Sequence, residues 1–179
     1  MPAGFMGSGE VYFERYNPTT ATWGAEQGPF EANQFEITPK ATRKVLASRS
    51  RARYGQAIAT VTIPEPPEFA VRLTEVTKDT LALALFGTVA ATAVDVPTVG
   101  DPAGYTISGA TQTQIRARFR FEGANFVSGQ MCRVTIREAV LAPTSPIDFL
   151  ADDFATVSLA GLLETPSGED EPFTVRVVA

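Results

Sequence analysis

Apolar and polar positions alternate along most of this chain, the period-two signature of half-buried β-strands. Val11 to Tyr16 reads as a strand with Val11 and Phe13 on one face, and Phe35 to Thr38 as a short second one. Ala57 to Ile63 places Ala57, Ala59, Val61 and Ile63 inward, against Ile58, Thr60 and Thr62. Glu68 to Val76 repeats the pattern, with Phe69, Val71 and Leu73 opposed to Glu68, Ala70, Arg72 and Thr74. Between these two strands, Pro64-Glu65-Pro66-Pro67 is predicted to turn the chain, because proline fixes φ and brings no N–H to a ladder.

One segment changes period. Leu81 and Leu85 repeat at i and i+4, Thr77 suits an N-cap, Asp79 complements the dipole of the first turn, and Gly87 is placed to stop the helix. A short helix is therefore predicted over Thr77 to Phe86. Beyond it come a strand near Thr88 to Val94, an exposed loop through Val96 to Gly104, and a hairpin of Ile115–Glu122 and Gln130–Ala139 joined by Gly123 to Gly129. The hairpin's inward set is Ile115, Ala117, Phe119 and Phe121, opposite Cys132, Val134 and Ile136. Pro143 to Pro146 marks a connection, and Phe154–Leu163 and Phe173–Val178 are two last strands around the acidic turn Ser167–Glu171. The predicted fold is mainly β: an antiparallel β-sandwich or open barrel with one short flanking α-helix and a long inter-strand arm. It forms a single domain over residues 1–179, with residues 1–8 as a flexible leader and 39–56 as an extended basic arm.

Composition narrows the chemistry. The chain has no histidine and one cysteine, Cys132. An internal disulfide is excluded, as is every mechanism that needs a histidine base or ligand. Cys132 falls on an apolar strand face and reads as a small core residue. Gly7-Ser8-Gly9 lacks the strand, the Lys-Ser/Thr and the helix of a phosphate loop. Asp148, Asp152 and Asp153 read as a solvated loop, or as the acid half of an intersubunit salt bridge, rather than as a magnesium site. No enzyme activity and no cofactor are expected. The sequence shows no signal peptide and no membrane span, so synthesis in the cytoplasm is expected.

Charge is unevenly spread. Lys40, Arg43, Lys44, Arg49, Arg51 and Arg53 stand in one acid-free stretch ending beside Tyr54, six of the fifteen basic residues. The remainder carries nine basic and twenty acidic residues, so a basic arm sits on an acidic body. Such an arm suits nucleic acid, or the acidic body of another copy. A second feature is a pair of arginine rows. Arg116, Arg118 and Arg120 share a strand face with Arg133 and Arg137 of the partner strand. Like charges across a ladder are destabilising, so acids are expected to meet this face. The candidates within the chain are Glu122, Glu138 and Glu68, and those outside it are a neighbouring subunit or a phosphate backbone; the alternative is a solvated mixed-charge face.

The block Phe35-Glu36-Ile37-Thr38-Pro39-Lys40, the basic arm, Tyr54-Gly55-Gln56 and Val61-Thr62-Ile63-Pro64-Glu65-Pro66 resembles bacteriophage major tail tube proteins. The likeness continues through Glu68-Phe69, Leu73-Thr74-Glu75-Val76 and Thr80-Leu81-Ala82-Leu83-Ala84-Leu85-Phe86-Gly87. The resemblance implies a virion protein, assembled in the host cytoplasm, that forms hexameric rings stacked into the tail tube. Its partners would be other copies of itself, a tape-measure protein in the lumen, tail terminator and tail tip proteins, and duplex DNA that passes without specific binding. Thr38 to Gln56 would bridge subunits or rings, and strands from every subunit would line the lumen as one continuous barrel. About 24 strands, spaced about 4.8 Å and tilted about 40°, enclose a channel of roughly 38 Å once side chains are subtracted. Duplex DNA passes through such a channel with a shell of water. The alternatives are a capsid decoration or head-completion protein, and a soluble nucleic-acid-binding β-module that uses the arm.

Overall fold

The structure, a computed structural model, describes residues 7–92, 104–125, 129–147 and 156–178. Its elements are β1 (Gly7–Asn17), β2 (Thr22–Trp23), β3 (Gln27–Ala47), β4 (Ala57–Leu73), α1 (Lys78–Ala84), β5 (Thr88–Thr92), β6 (Gly104–Ser108), β7 (Ile115–Asn125), β8 (Met131–Pro143), β9 (Val157–Leu163) and β10 (Phe173–Val178). The fold is mainly β and antiparallel, with one short helix.

The main sheet runs β10-β8-β7-β1-β3-β4-β9, and β9 also pairs with β8. That last pairing closes β8-β7-β1-β3-β4-β9 into a barrel, which goes further than an open sandwich. Closure depends on Gly161. It is the ladder partner of Phe69 in β4 on one side and of Leu141 in β8 on the other. A Cβ there would run into the Val140 carbonyl oxygen and stand 2.9 Å from the Leu141 Cα. β10 lies outside the ring, paired to the Met131–Ile136 half of β8.

A chain of phenylalanines fills the barrel. Phe30 stacks on Phe13 at 5.1 Å between ring centroids, and Phe13 meets Phe119 at 6.1 Å. Phe119 meets Phe69, and Phe69 meets Phe35, each at 5.1 Å. Phe35 then stacks on Phe121 at 5.2 Å. Phe13, Phe69 and Phe119 are fully buried, and burial of each contributes about 1.5–3 kcal/mol. Gly9 serves the same packing, since a Cβ there would strike the Phe121 ring.

The helix is held as its sequence requires. Thr77 caps it, with a reciprocal capping box between Thr77 and Thr80, and Asp79 lies in the first turn. Leu83 is fully buried in the core. Its stop differs from the expectation. The left-handed residue is Phe86 (φ 50°), not Gly87. Phe86 N–H donates to Leu83 O at 3.3 Å and Gly87 N–H to Ala82 O at 2.8 Å, a Schellman ending. Gly87 is required for space instead, because a Cβ would stand 2.8 Å from the Ser108 carbonyl oxygen.

Three further expectations are corrected. Pro64-Glu65-Pro66-Pro67 does not turn the chain, because β4 runs straight through it. The ladder with β3 shifts between Thr38/Glu68 and Lys40/Glu65, so Pro66 and Pro67 sit at a bulge. β9 reaches only Glu68–Leu73, so the proline-bearing part of β4 has one edge with no ladder to supply. The short strand Phe35–Thr38 is part of a long one: β3 runs on through Lys40–Ala47, which pairs with Ala57–Glu65 as a ribbon whose tip is residues 48–56. Gly7 and Ser8 belong to β1, paired with Asn125 and Ala124, rather than to a leader. Asp148, Asp152 and Asp153, the loop through Val96 to Gly104 up to Ala103, and the rest of the leader lie outside the described residues. β6, paired to β5, escaped the sequence reading because Tyr105–Ser108 is too short to show a period.

Candidate assembly surfaces

Two surfaces carry the residues singled out by the sequence. The first is the outer face of the β10-β8-β7-β1 sheet. Strict alternation sends Ile115, Ala117 and Phe119 into the core and Arg116, Arg118 and Arg120 outward. The β7–β8 register sets Glu122 opposite Arg133, and the β1–β7 register sets Glu14 opposite Arg118. A shift between Ala117 and Phe119 re-aims β8. Arg137 and Glu138 together stand opposite Arg118 at that shift, and the Glu138 side chain lies beside Arg116.

Every arginine of the rows has a carboxylate. Arg116 meets Glu138 at 2.7 Å and Glu164 at 3.2 Å. Arg118 meets Glu14 at 3.6 Å and lies over the Trp23 ring at 4.1 Å. Arg120 meets Glu26 at 2.5 Å, also pairs with Glu122, and lies over the Tyr12 ring at 4.0 Å. Arg133 meets Glu122 at 2.6 Å, and Arg137 meets Glu169 at 3.0 Å and Glu171 at 3.3 Å. Seven glutamates thus meet five arginines, and the face is acidic on balance. Of the acids expected here, Glu122 and Glu138 take part. Glu68 does not, because it pairs with Lys40 at the root of the ribbon. Glu14, Glu26, Glu164, Glu169 and Glu171 were missed. Glu14 left a signal as the outward alternate of Phe13, and Glu169 and Glu171 stood in the acidic turn Ser167–Glu171 without anything to link that turn to this face.

Hydrogen bonding from Arg120 holds the Glu26 carboxyl below the ordinary carboxylate range, and the same bond raises the Arg120 guanidinium. Glu26 therefore favours the native state fully above the unfolded carboxylate pKa, and that contribution is lost as pH falls through its lower folded value. A carboxyl NMR titration is expected to place Glu26 below 4.5, the ordinary value, and Arg120→Ala to return it there. An unchanged midpoint in the variant would remove Arg120 as the cause.

A cleft of about 360 Å³ opens between Tyr12, Glu26, Arg118, Arg120, Arg137 and Glu169. Its arginines and glutamates are paired with one another. No protein-family model matches the chain, and no curated protein does. Among the described residues no cluster of three or more His, Cys, Asp or Glu is placed to hold a metal ion, and no helix is long and apolar enough to cross a membrane. Cys132 is buried and unpaired with another cysteine.

The second surface is the ribbon. Lys40–Ala47 alone extends about 27 Å at strand rise. Its tip is closed by Ser48 N–H to Gln56 O at 2.7 Å and Gly55 N–H to Ser48 O at 2.9 Å. Lys40 has Glu68, whereas Arg43, Lys44, Arg49, Arg51 and Arg53 have no carboxylate within 4.0 Å among the described residues. Tyr54 at the tip is 80% exposed. The residues expected inward on this stretch face water: Ala57 and Ala59 are exposed, Val61 is 58% exposed and Ile63 41%. Val45, Leu46 and Ile58 are exposed by more than half. By register, Leu46, Val61 and Ile63 share one face and Val45 lies on the other. Alternation identified a two-faced strand, but it carries no information about what covers each face.

Proposed function

We propose that this chain is a structural subunit of a phage tail tube, assembling as hexameric rings that stack around a channel for DNA. The observation that carries this reading is the ribbon. A two-stranded hairpin alone in water is marginal at best, and this one exposes five large aliphatic side chains that no other described residue covers. Large apolar side chains left in water beside charged ones mark a contact site, and Leu46, Val61 and Ile63 share one face of the ribbon. The acidic body supplies a partner of the right charge in another copy, which fits Arg43, Lys44, Arg49, Arg51 and Arg53.

The charged sheet supports the same reading. Its four strands, β10-β8-β7-β1, match the number per subunit that gives a channel wide enough for duplex DNA. A wall that conducts DNA must not hold it, because each phosphate neutralised by a fixed cation strengthens non-specific binding. Glutamates that outnumber the arginines keep such a wall weakly repulsive. The role is architectural and needs no cofactor.

A second reading draws on the exposed Tyr54 among Arg49, Arg51 and Arg53: a basic β-ribbon that binds nucleic acid. Salt separates the two. Sedimentation of the concentrated protein is expected to show large assemblies that persist at several hundred millimolar salt, since strand pairing and apolar burial hold them. A monomer that binds duplex DNA and loses it steeply over that range would favour the second reading.

A further inference from the structure

Read across the sheet, one row of ladder partners has a peculiar charge order. Arg176 of β10 is opposite Arg133 of β8, Arg133 is opposite Glu122 of β7, Glu122 is opposite Glu10 of β1, and Glu10 is opposite Glu31 of β3. The centre is satisfied by Arg133 and Glu122 at 2.6 Å. The ends are not. Two arginines lie side by side at one end and two glutamates at the other, arrangements that destabilise a ladder unless a counter-charge arrives. Arg176 has no carboxylate within 4.0 Å among the described residues, and neither Glu10 nor Glu31 has a cation. Glu10 receives only the Tyr12 hydroxyl, at 2.7 Å.

The backbone at both ends is open as well. β10 pairs only with β8, so its other edge has no ladder among the described residues. On β1, the ladder to β3 begins at Glu10, leaving the β3-side edge of Gly7–Gly9 without a ladder partner among the described residues. Val175 and Val177 of β10, on the opposite face from Arg176, are 55% and 57% exposed. Strand direction also matches. β1, β7, β8 and β10 alternate, so β10 of one copy laid beside β1 of the next continues an antiparallel sheet.

We infer that β10 of one copy pairs with the Gly7–Gly9 edge of a second copy, with Arg176 seated against Glu10 and Glu31 at the end of that edge. This rests on the ring reading for the number of copies, and it names the lateral contact within a ring. The two edges differ, so the contact is head-to-tail and can close a ring. Like-charged ends prevent two β10 edges, or two β1 edges, from meeting. Opposite-charged ends select the order and steer the encounter.

Charge exchange tests it. One variant is Arg176→Glu; the other is Glu10→Arg with Glu31→Arg. All three positions are exposed, and melting temperatures near wild type verify folding. Each variant alone is expected to assemble at least tenfold less than wild type, because both ends then carry one sign. An equimolar mixture is expected to recover assembly, because each variant complements the other at both edges. If either variant alone assembles as wild type does, or the mixture does not recover while wild type forms tubes, this contact is wrong and the ring reading stands. In a wild-type chain that forms no tubes, the contact still predicts concentration-dependent amide shifts confined to Thr174–Val178 and Gly7–Glu10. Their presence retains the contact against the ring reading, and their absence at millimolar protein overturns it.

Discussion

Gly161→Ala is expected to open the barrel. Gly161 lies where β9 is gripped on both sides, by Phe69 of β4 and Leu141 of β8. The atoms a methyl group would meet are backbone: the Val140 carbonyl oxygen, the Val140 carbonyl carbon at 2.8 Å and the Leu141 Cα at 2.9 Å. None of them can rotate away as a side-chain tip does. Relief requires β9 to draw off β8, which gives up the ladder from Ala139 to Pro143 and uncovers Leu159 and Leu163. The expected loss is about 3 kcal/mol or more, at the upper end of overpacking effects. Against a total stability of about 5–15 kcal/mol, that is a large share. Urea unfolding with the slope compared to wild type measures it. A change under about 0.5 kcal/mol, the range of ordinary surface substitutions, would mean that β8 and β9 do not pair here and that the sheet is open.

Removing the ribbon is expected to do the opposite: abolish assembly and leave the fold. Replacing Ala41–Pro64 with an Asn-Gly turn joins Lys40 to Glu65, which already face each other in the ladder, and a type I′ turn matches the twist of such a hairpin. The excised segment buries almost nothing. Ser48 is its one buried residue, and its partners are within the tip. The shortened chain should therefore melt within a few degrees of the full one, yet remain monomeric at concentrations where the full chain polymerises. A shortened chain that still forms tubes would remove the ribbon from the assembly mechanism.

The parts of the fold legible in the sequence were those where one face meets the core and the other meets water. β1, the β7–β8 hairpin and the Phe69–Leu73 end of β4 satisfy that condition, and their inward residues were placed correctly. The ribbon does not satisfy it. Val61 and Ile63 alternate as faithfully as Val71 and Leu73, but period two reports only that one face is apolar, not that the same chain covers it. The prolines misled for a related reason. They exclude a ladder on their own N–H side alone, and half of β4 has no strand there. Phe86 shows a limit of another kind: its left-handed backbone is held by the helix ending and by core packing, against its own preference. The arginine face was legible as a face in need of acids. Most of those acids are Glu26, Glu164, Glu169 and Glu171, in segments that the tertiary fold brings near, and no local pattern carries that information. The basic end of the charged row is likewise visible only once β10 is set beside β8.

The most direct test of the central claim is electron cryomicroscopy of the concentrated full-length protein. The account predicts tubes of stacked six-fold rings, with a channel of roughly 38 Å lined by β10, β8, β7 and β1. Arg116, Arg118, Arg120, Arg133 and Arg137 should remain against their glutamates on that wall. Particles that stay single at every concentration and bind duplex DNA through the ribbon would contradict it, as would a tube whose channel is lined by a bare ring of arginines.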